Sequence, residues 1–254
     1  MAALALLRFL GRRSTAVHLQ ASGHCPTCDR PTRFVAREPW LRDHFLCTRC
    51  GSIPRERALM LCIERFFPAW RSLAIHESSP VGRGASARLR ADCPGYTASQ
   101  FFPGAPLGEV PPGQQFRNED LERLTFPDAS FDLFVTQDVM EHILDPGKAF
   151  AEIRRVLRPG GAHVFSVPLV AKDRPTRITA ERGPDGAVIH HVEPTYHGNP
   201  VDSAGALVTR EWGYDICDFI MRTAGTPTAM VVIDDLDRGI RAEYIEILVS
   251  RRTG

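Results

Sequence analysis

"FDLFVTQDVMEHILDPGKAFAEIRRVLRPGGAHVFSVP", residues 131–168, decides the fold. Phe131–Gln137 is a short apolar run preceded by turn residues, which predicts a buried strand. It leads directly into a segment with Val139, Ile143, Phe150, Ile153, Val156 and Leu157 at helical spacing. "PGG" at 159–161 stops that helix, and "AHVFSVP" predicts the next strand. Strand, helix and strand in this order, with both strands apolar, imply parallel pairing through a right-handed crossover.

The same alternation extends outward. "SIPRERALMLCIERFFPAW" (52–70) predicts a helix, with Ser52 as its cap, Pro54 in its first turn and Leu59, Ile63, Phe66 and Phe67 on one stripe. "SLAIHE" (72–77) predicts a strand, "ASARLRAD" (85–92) a helix and "GYTASQFF" (95–102) a strand. A Pro- and Gly-rich loop fills 103–113, and "QQFRNEDLERLTF" (114–126) holds a short strand. Residues 169–209 read as polar loop, and "REWGYDICDFIMRTAG" (210–225) as a helix. "TAMVVID" (228–234) and "AEYIEILVSRR" (242–252) predict two strands, antiparallel because their connection is short. The expected fold is α/β: a doubly wound, mostly parallel sheet with a C-terminal antiparallel hairpin, preceded by a small N-terminal zinc ribbon.

The zinc reading rests on cysteine spacing. Cys25 and Cys28 form one CxxC pair, Cys47 and Cys50 a second. Each tight knuckle delivers two thiolates, and four complete a tetrahedral site with no position left for substrate. Structural Zn2+ is therefore expected, holding a module too small to fold on its own core. His24 and His44 flank the knuckles and are read as incidental; Cys62 and Cys217 are read as core thiols.

Composition narrows the function classes. The chain has 254 residues, 43% hydrophobic, and a net charge of +1 from 31 basic and 30 acidic residues. That balance argues against a large nucleic-acid footprint, and no apolar run matches a membrane span. Arg49, Arg55 and Arg57 could form a local phosphate-gripping patch or simply solvate a helix start. Residues 1–20, with three arginines after a short apolar run, mimic a presequence but are read as a frayed, poorly ordered segment. The domains expected are thus 1–20, a zinc ribbon at 21–54 and an enzyme domain at 55–254, in a cytoplasmic protein.

The succession "EDLERLTFPDASFDLFVTQDVMEHILDPGKAFAEIRRVLRPGGAHVFSVP" (119–168) resembles class I S-adenosylmethionine-dependent methyltransferases, above all the broad group called type 11. The resemblance extends in outline over 55–254, and the zinc ribbon before the fold is similar to that of certain RNA methyltransferases. It implies S-adenosylmethionine as cofactor, bound outside the carboxyl ends of the strands. Asp120 matches the acid that receives the adenine amino group, with the Leu121 backbone beside it, and Gln137 and Asp138 match the lining around the transferable methyl. The second strand usually ends in an acid for the ribose; here Ser99 and Gln100 stand instead.

The first loop, "LAIHESSPVGRG" (73–84), departs from the family's glycines. Glu77 keeps a carboxylate, Ser78 and Ser79 are small polar replacements, and Gly84 keeps backbone freedom. The expectation is a modified but competent cofactor loop. For proton removal, "IHHVEPTYHGNP" (189–200) offers His190, His191, Glu193, Tyr196 and His197, with His197 and Tyr196 expected nearest the site and His142 next. His142 reads equally well as a half-buried packing residue, and Glu141 is read as complementing a helix start. The function expected is methyl transfer to an O or N nucleophile of a small-molecule or saccharide-type metabolite. An RNA methyltransferase, and a noncatalytic binding protein on a degenerate methyltransferase fold, stand as alternatives.

Overall fold

The computed structural model describes residues 17–199 and 201–254. The expectation for the N-terminal segment lies outside the described residues except at 17–20.

The N-terminal module is a three-stranded antiparallel sheet of β1 (Leu19–Cys25), β2 (Arg30–Ala36) and β3 (Leu46–Cys47). A four-residue helical turn, α1 (Leu41–His44), interrupts the run between β2 and β3. Its core is Phe34 packed on Phe45, ring centroids 5.9 Å apart, with Ala36, Cys25 and Cys47. So few apolar side chains offset little of the entropy of ordering the module, so its four cysteines matter to its stability.

Helix α2 (Pro54–Phe66) follows as expected, but Ser52 does not cap it. Ile53 takes that position, and the Glu56 carboxylate accepts the Ile53 N–H at 3.0 Å. Ser52 is buried among the cysteine sulfurs instead.

The central sheet contains β4 (Ile75–Ser78), β5 (Tyr96–Gln100), β6 (Arg117–Asn118), β7 (Phe131–Gln137) and β8 (Leu157–Ser166), all mutually parallel. Between them run α3 (Gly84–Asp92) and α4 (Pro146–Val156). Six short strands come next: β9 (Arg177–Ile178), β10 (Ala180–Arg182), β11 (Val188–His190), β12 (Tyr196–His197), β13 (Ala206–Leu207) and β14 (Arg210–Glu211). They form three two-stranded pairs, β9–β14, β10–β11 and β12–β13, where the sequence reading had only a loop. Their mostly exposed residues carry no apolar alternation that would mark a strand. Then α5 (Ile216–Ala224), β15 (Thr228–Val231) and β16 (Ile247–Arg251) complete the fold.

The sheet order is β15-β16-β8-β7-β4-β5-β6, with β16 antiparallel to both β15 and β8. Alternate residues of β7 face opposite layers. Leu133 and Val135 pack with Leu59, Ile63 and Leu89 of α2 and α3; Phe134 packs with Phe150, Ile153 and Ile220 of α4 and α5. Burial on both faces is why this strand reads as continuously apolar.

One element is corrected. The helix expected from Asp138 onward is broken: a 3-10 turn spans Met140–His142, and α4 starts only at Pro146. The residue before a proline avoids the helical region, so Asp145 caps instead, its carboxylate accepting the Lys148 N–H at 3.1 Å. At the other end, Arg158–Gly161 already belongs to β8.

Candidate active site

The carboxyl ends of β4, β5, β6 and β7 share one edge, and the sequence-predicted cofactor residues lie along it. Glu77 is fully buried in β4. Its carboxylate accepts from Ser86 Oγ at 2.7 Å, Tyr96 OH at 2.8 Å and Gln137 Nε2 at 2.8 Å. Burial pushes its pKa up despite these three donors. Ser78 is buried beside it, and Ser79 follows with φ +57°, the left-handed conformation that glycine adopts most easily. The loop thus keeps a glycine-like turn without glycine.

Gly84 also has φ +57°, and a Cβ there would run into the Glu56 carboxylate of α2. Its missing side chain makes room for Glu56, which is buried and pairs with Arg83 at 3.1 Å. Ser99 is fully buried, and its hydroxyl lies 3.0 Å from Nε2 of His76, a residue packed among Phe126, Phe131 and Phe134. Its polar group is therefore spent inside the sheet. Gln100 ends β5 almost buried. Asp120 sits just past β6, accepting the Glu122 N–H at 2.9 Å, and Leu121 is buried next to it. Gln137 donates to Glu77 and Ser86, while its Oε1 is buried without a partner.

Asp138 is where the sequence reading missed most. With φ +53°, it turns its carboxylate toward the N-terminal module. It accepts from Arg42 Nη2 at 2.6 Å and Ser166 Oγ at 2.9 Å, and forms an ion pair with Arg55 Nε at 3.0 Å. Burial alone would raise its pKa; the Arg55 and Arg42 charges outweigh that and hold it below the ordinary aspartate value. Arg42 also donates to the Tyr244 carbonyl at 3.1 Å. Arg55 and Arg57 therefore make no outward phosphate patch: Arg57 is buried, donating to the carbonyls of Phe45 and Gly239.

Glu141, read from sequence as a helix-start residue, stands in the 3-10 turn, 2% exposed, with neither carboxylate oxygen hydrogen-bonded. Burial, then the Asp138 charge, raises its pKa well above the usual carboxylate range. His142 Nε2 lies 3.7 Å and His197 Nδ1 3.9 Å from its Oε1. Burial lowers the pKa of both histidines. Tyr196, adjacent to His197 in β12, is 53% exposed and is not brought into this cluster. Glu141 and His197 line a cavity of about 270 Å³, walled also by His190, Glu193, Arg174 and Arg210. The only sequence signal for Glu141 was its place beside His142 in "DVMEH".

The four cysteine sulfurs gather within 4.8 Å of one another, with Cys25 to Cys50 at 3.8 Å and Cys28 to Cys47 at 4.0 Å. Four thiolates around Zn2+ at about 2.3 Å would be about 3.8 Å apart, so the set fits that ion. Thr27 Oγ1 lies 3.0 Å from Cys25 Sγ and 3.2 Å from Cys50 Sγ, and the Arg49 N–H donates to Cys47 Sγ at 3.4 Å. His24 and His44 stand apart, beside Asp29 and Glu38.

Residues 97–165 match the type 11 methyltransferase domain family. Over 107 residues the chain is 35% identical to a Mycolicibacterium smegmatis protein described as a probable S-adenosylmethionine-dependent methyltransferase, covering 41% of this chain and 39% of that one. Over 50 residues it is 44% identical to the dimethylglycine N-methyltransferase of Parasynechococcus marenigrum, covering 20% of this chain and 18% of the relative. The chain thus spans well under half the length of these relatives. Among solved structures, the S-adenosylmethionine-bound amino pentose methyltransferase of Micromonospora echinaspora aligns with a TM-score of 0.49 at 16% identity, over 78% of this chain and 92% of that one. The chain thus has the strand order and crossovers of a class I methyltransferase fold, its residues 97–165 are similar to the type 11 methyltransferase family, and a four-cysteine module that fits a zinc ribbon precedes them.

Proposed function

We propose that the chain transfers a methyl group from S-adenosylmethionine to an O or N nucleophile of a small-molecule or saccharide-type metabolite. One observation carries the acceptor class: the cavity of about 270 Å³ beside the carboxyl end of β7 has room for a small molecule and is walled by Glu141 and His197. The inward turn of Arg55 and Arg57 favours this reading over RNA.

The cofactor fits the residues at the strand ends. The orphaned Gln137 Oε1 offers a buried acceptor, and Ser79 turns the backbone as a glycine would. Glu77, Ser78, Ser79, Gly84 and Gln137 would frame the methionine part, with Gln100 and Ser99 behind the ribose. Asp120 and Leu121 would read the adenine, whereas Asp138, its carboxylate engaged by Arg42, Arg55 and Ser166, would leave the reacting end to Gln137. When bound, S-adenosylmethionine supplies an electrophilic methyl on a sulfonium. The chain must align the acceptor and receive its proton. His197, half-exposed at the cavity wall, would take that role, with His142 beside it and Tyr196 next to it in β12. Structural Zn2+ on Cys25, Cys28, Cys47 and Cys50 would fix the module whose Arg42, together with Arg55 of α2, holds Asp138. Thiols kept for a metal suit a reducing, cytoplasmic setting.

A second reading, a binding protein without catalysis, is favoured by the internal bonds that tie up Glu77 and Ser99 and by Glu56 filling the space at Gly84. Calorimetric titration of the full chain with S-adenosylmethionine tests both. Saturable one-to-one binding supports the enzyme, and no heat at millimolar cofactor overturns it. Incubating a cell extract with methyl-labelled cofactor and the chain then asks where label goes; transfer to RNA and not to small molecules overturns the metabolite assignment.

A further inference from the structure

We propose that Glu141, His142 and His197 form a second metal site, distinct from the four cysteines, which takes one divalent transition-metal cation at the wall of the substrate cavity. The ligand atoms of the three lie within 4.8 Å of one another. Two imidazoles and one carboxylate make a set that binds such cations while leaving positions open for other ligands.

The hydrogen bonds around the cluster set the lone pairs. His142 Nδ1 lies 2.8 Å from the Leu207 carbonyl, which can only accept, so Nδ1 carries the proton. Nε2 then presents its lone pair toward Glu141 Oε1, 3.7 Å away. A backbone carbonyl fixing the far ring nitrogen is the usual support behind a metal-bound histidine. The Glu141 carboxylate is buried with both oxygens unpartnered, and His197 Nδ1 faces it from the other side at 3.9 Å. The two rings meet edge to face, centroids 5.1 Å apart, so their nitrogens converge on the carboxylate and do not stack past it. With no surrounding donor on either Glu141 oxygen, a cation can take the place of the carboxyl's proton. Ligands about 2.05 Å from a tetrahedral ion stand about 3.3 Å apart, so the pairs at 3.7 and 3.9 Å must close by about half an ångström, and the two ring nitrogens, within 4.8 Å of each other, by up to about 1.5 Å. His197, on a short and largely exposed pair of strands, can supply that closure.

The consequence for substrate rests on the methyl-transfer reading. A cation here would bind an acceptor oxygen in the cavity, lower its pKa and let the proton leave to water, so the two histidines would serve as ligands and not as bases. The acceptor class this favours is a hydroxyl with a neighbouring oxygen able to chelate.

The test uses the full chain with Zn2+ left on its cysteines and no methyl donor present, so that its outcome does not depend on methyl transfer. Titration with Co2+ is expected to give one saturable site per chain, with d–d bands and no thiolate charge-transfer band. His197→Asn, at a half-exposed position, should weaken that binding at least tenfold, and Glu141→Gln likewise. Absence of a non-thiolate Co2+ spectrum in the unaltered chain overturns the site. Undiminished binding by a folded His197→Asn chain also overturns it. If S-adenosylmethionine binds but Co2+ does not, the methyl-transfer reading stands and only the metal site falls.

Discussion

Ser79 and Gly84 share a backbone conformation and differ in what surrounds them, so substitution should move stability in opposite directions. Ser79 holds φ +57° at a cost that glycine avoids. Ser79→Gly should stabilise by up to about 1 kcal/mol in urea unfolding. Gly84→Ala adds both left-handed strain and a clash with Glu56, and should destabilise by roughly 1–3 kcal/mol. Two buried histidines set the acid response. Burial lowers the pKa of His76 and His163 to about 3. Both stay neutral in the fold, whereas the unfolded chain protonates them near the ordinary value of about 6.5. Stability is therefore full above that value and falls as pH drops from 6.5 toward 3. His163 stacks on Phe165 at 4.1 Å, so His163→Phe keeps the packing. Between pH 7 and pH 5 that variant should lose about 2 kcal/mol less than the unaltered chain, measured by urea unfolding at both values.

At the scale of elements, α1 bridges two parts of the molecule. It lies between the two CxxC pairs, and its Arg42 reaches Asp138 at the end of β7. Arg42→Met should cost about 2 kcal/mol through the lost charged hydrogen bonds. Stripping metal from the cysteines with a chelator should raise hydrogen exchange in β1, β2 and α1 first, because little apolar packing remains to hold them. The strands and helices of the main sheet were legible because each buries a face, so periodicity marks it. The 3-10 turn at Met140–His142 was not, since Val139 and Ile143 mimic helical spacing across it and only Pro146 hints at the break. The Arg42–Asp138 pair was invisible for a different reason. It joins residues 96 positions apart, and no local pattern encodes such a meeting. The cysteine spacing, by contrast, announced its cluster outright.

At the scale of the whole molecule, the N-terminal module is set against the end of β7 through Arg42, with Arg55 and Arg57 of α2 tying the two together. The direction of the sheet followed from alternating strands and helices. The cluster at the cavity wall did not, because Glu141 is set apart by its burial and by His197, which the β12–β13 pair brings near. The antiparallel strand β16 lies between β15 and β8, both of which precede it in the chain. While the polypeptide emerges from the ribosome, that slot stays vacant until residues 247–251 appear, long after the cysteine knuckles have been made. Two strand borders are exposed to mispairing during that interval, so a nascent chain halted short of Ile247 should need a chaperone to stay dispersed.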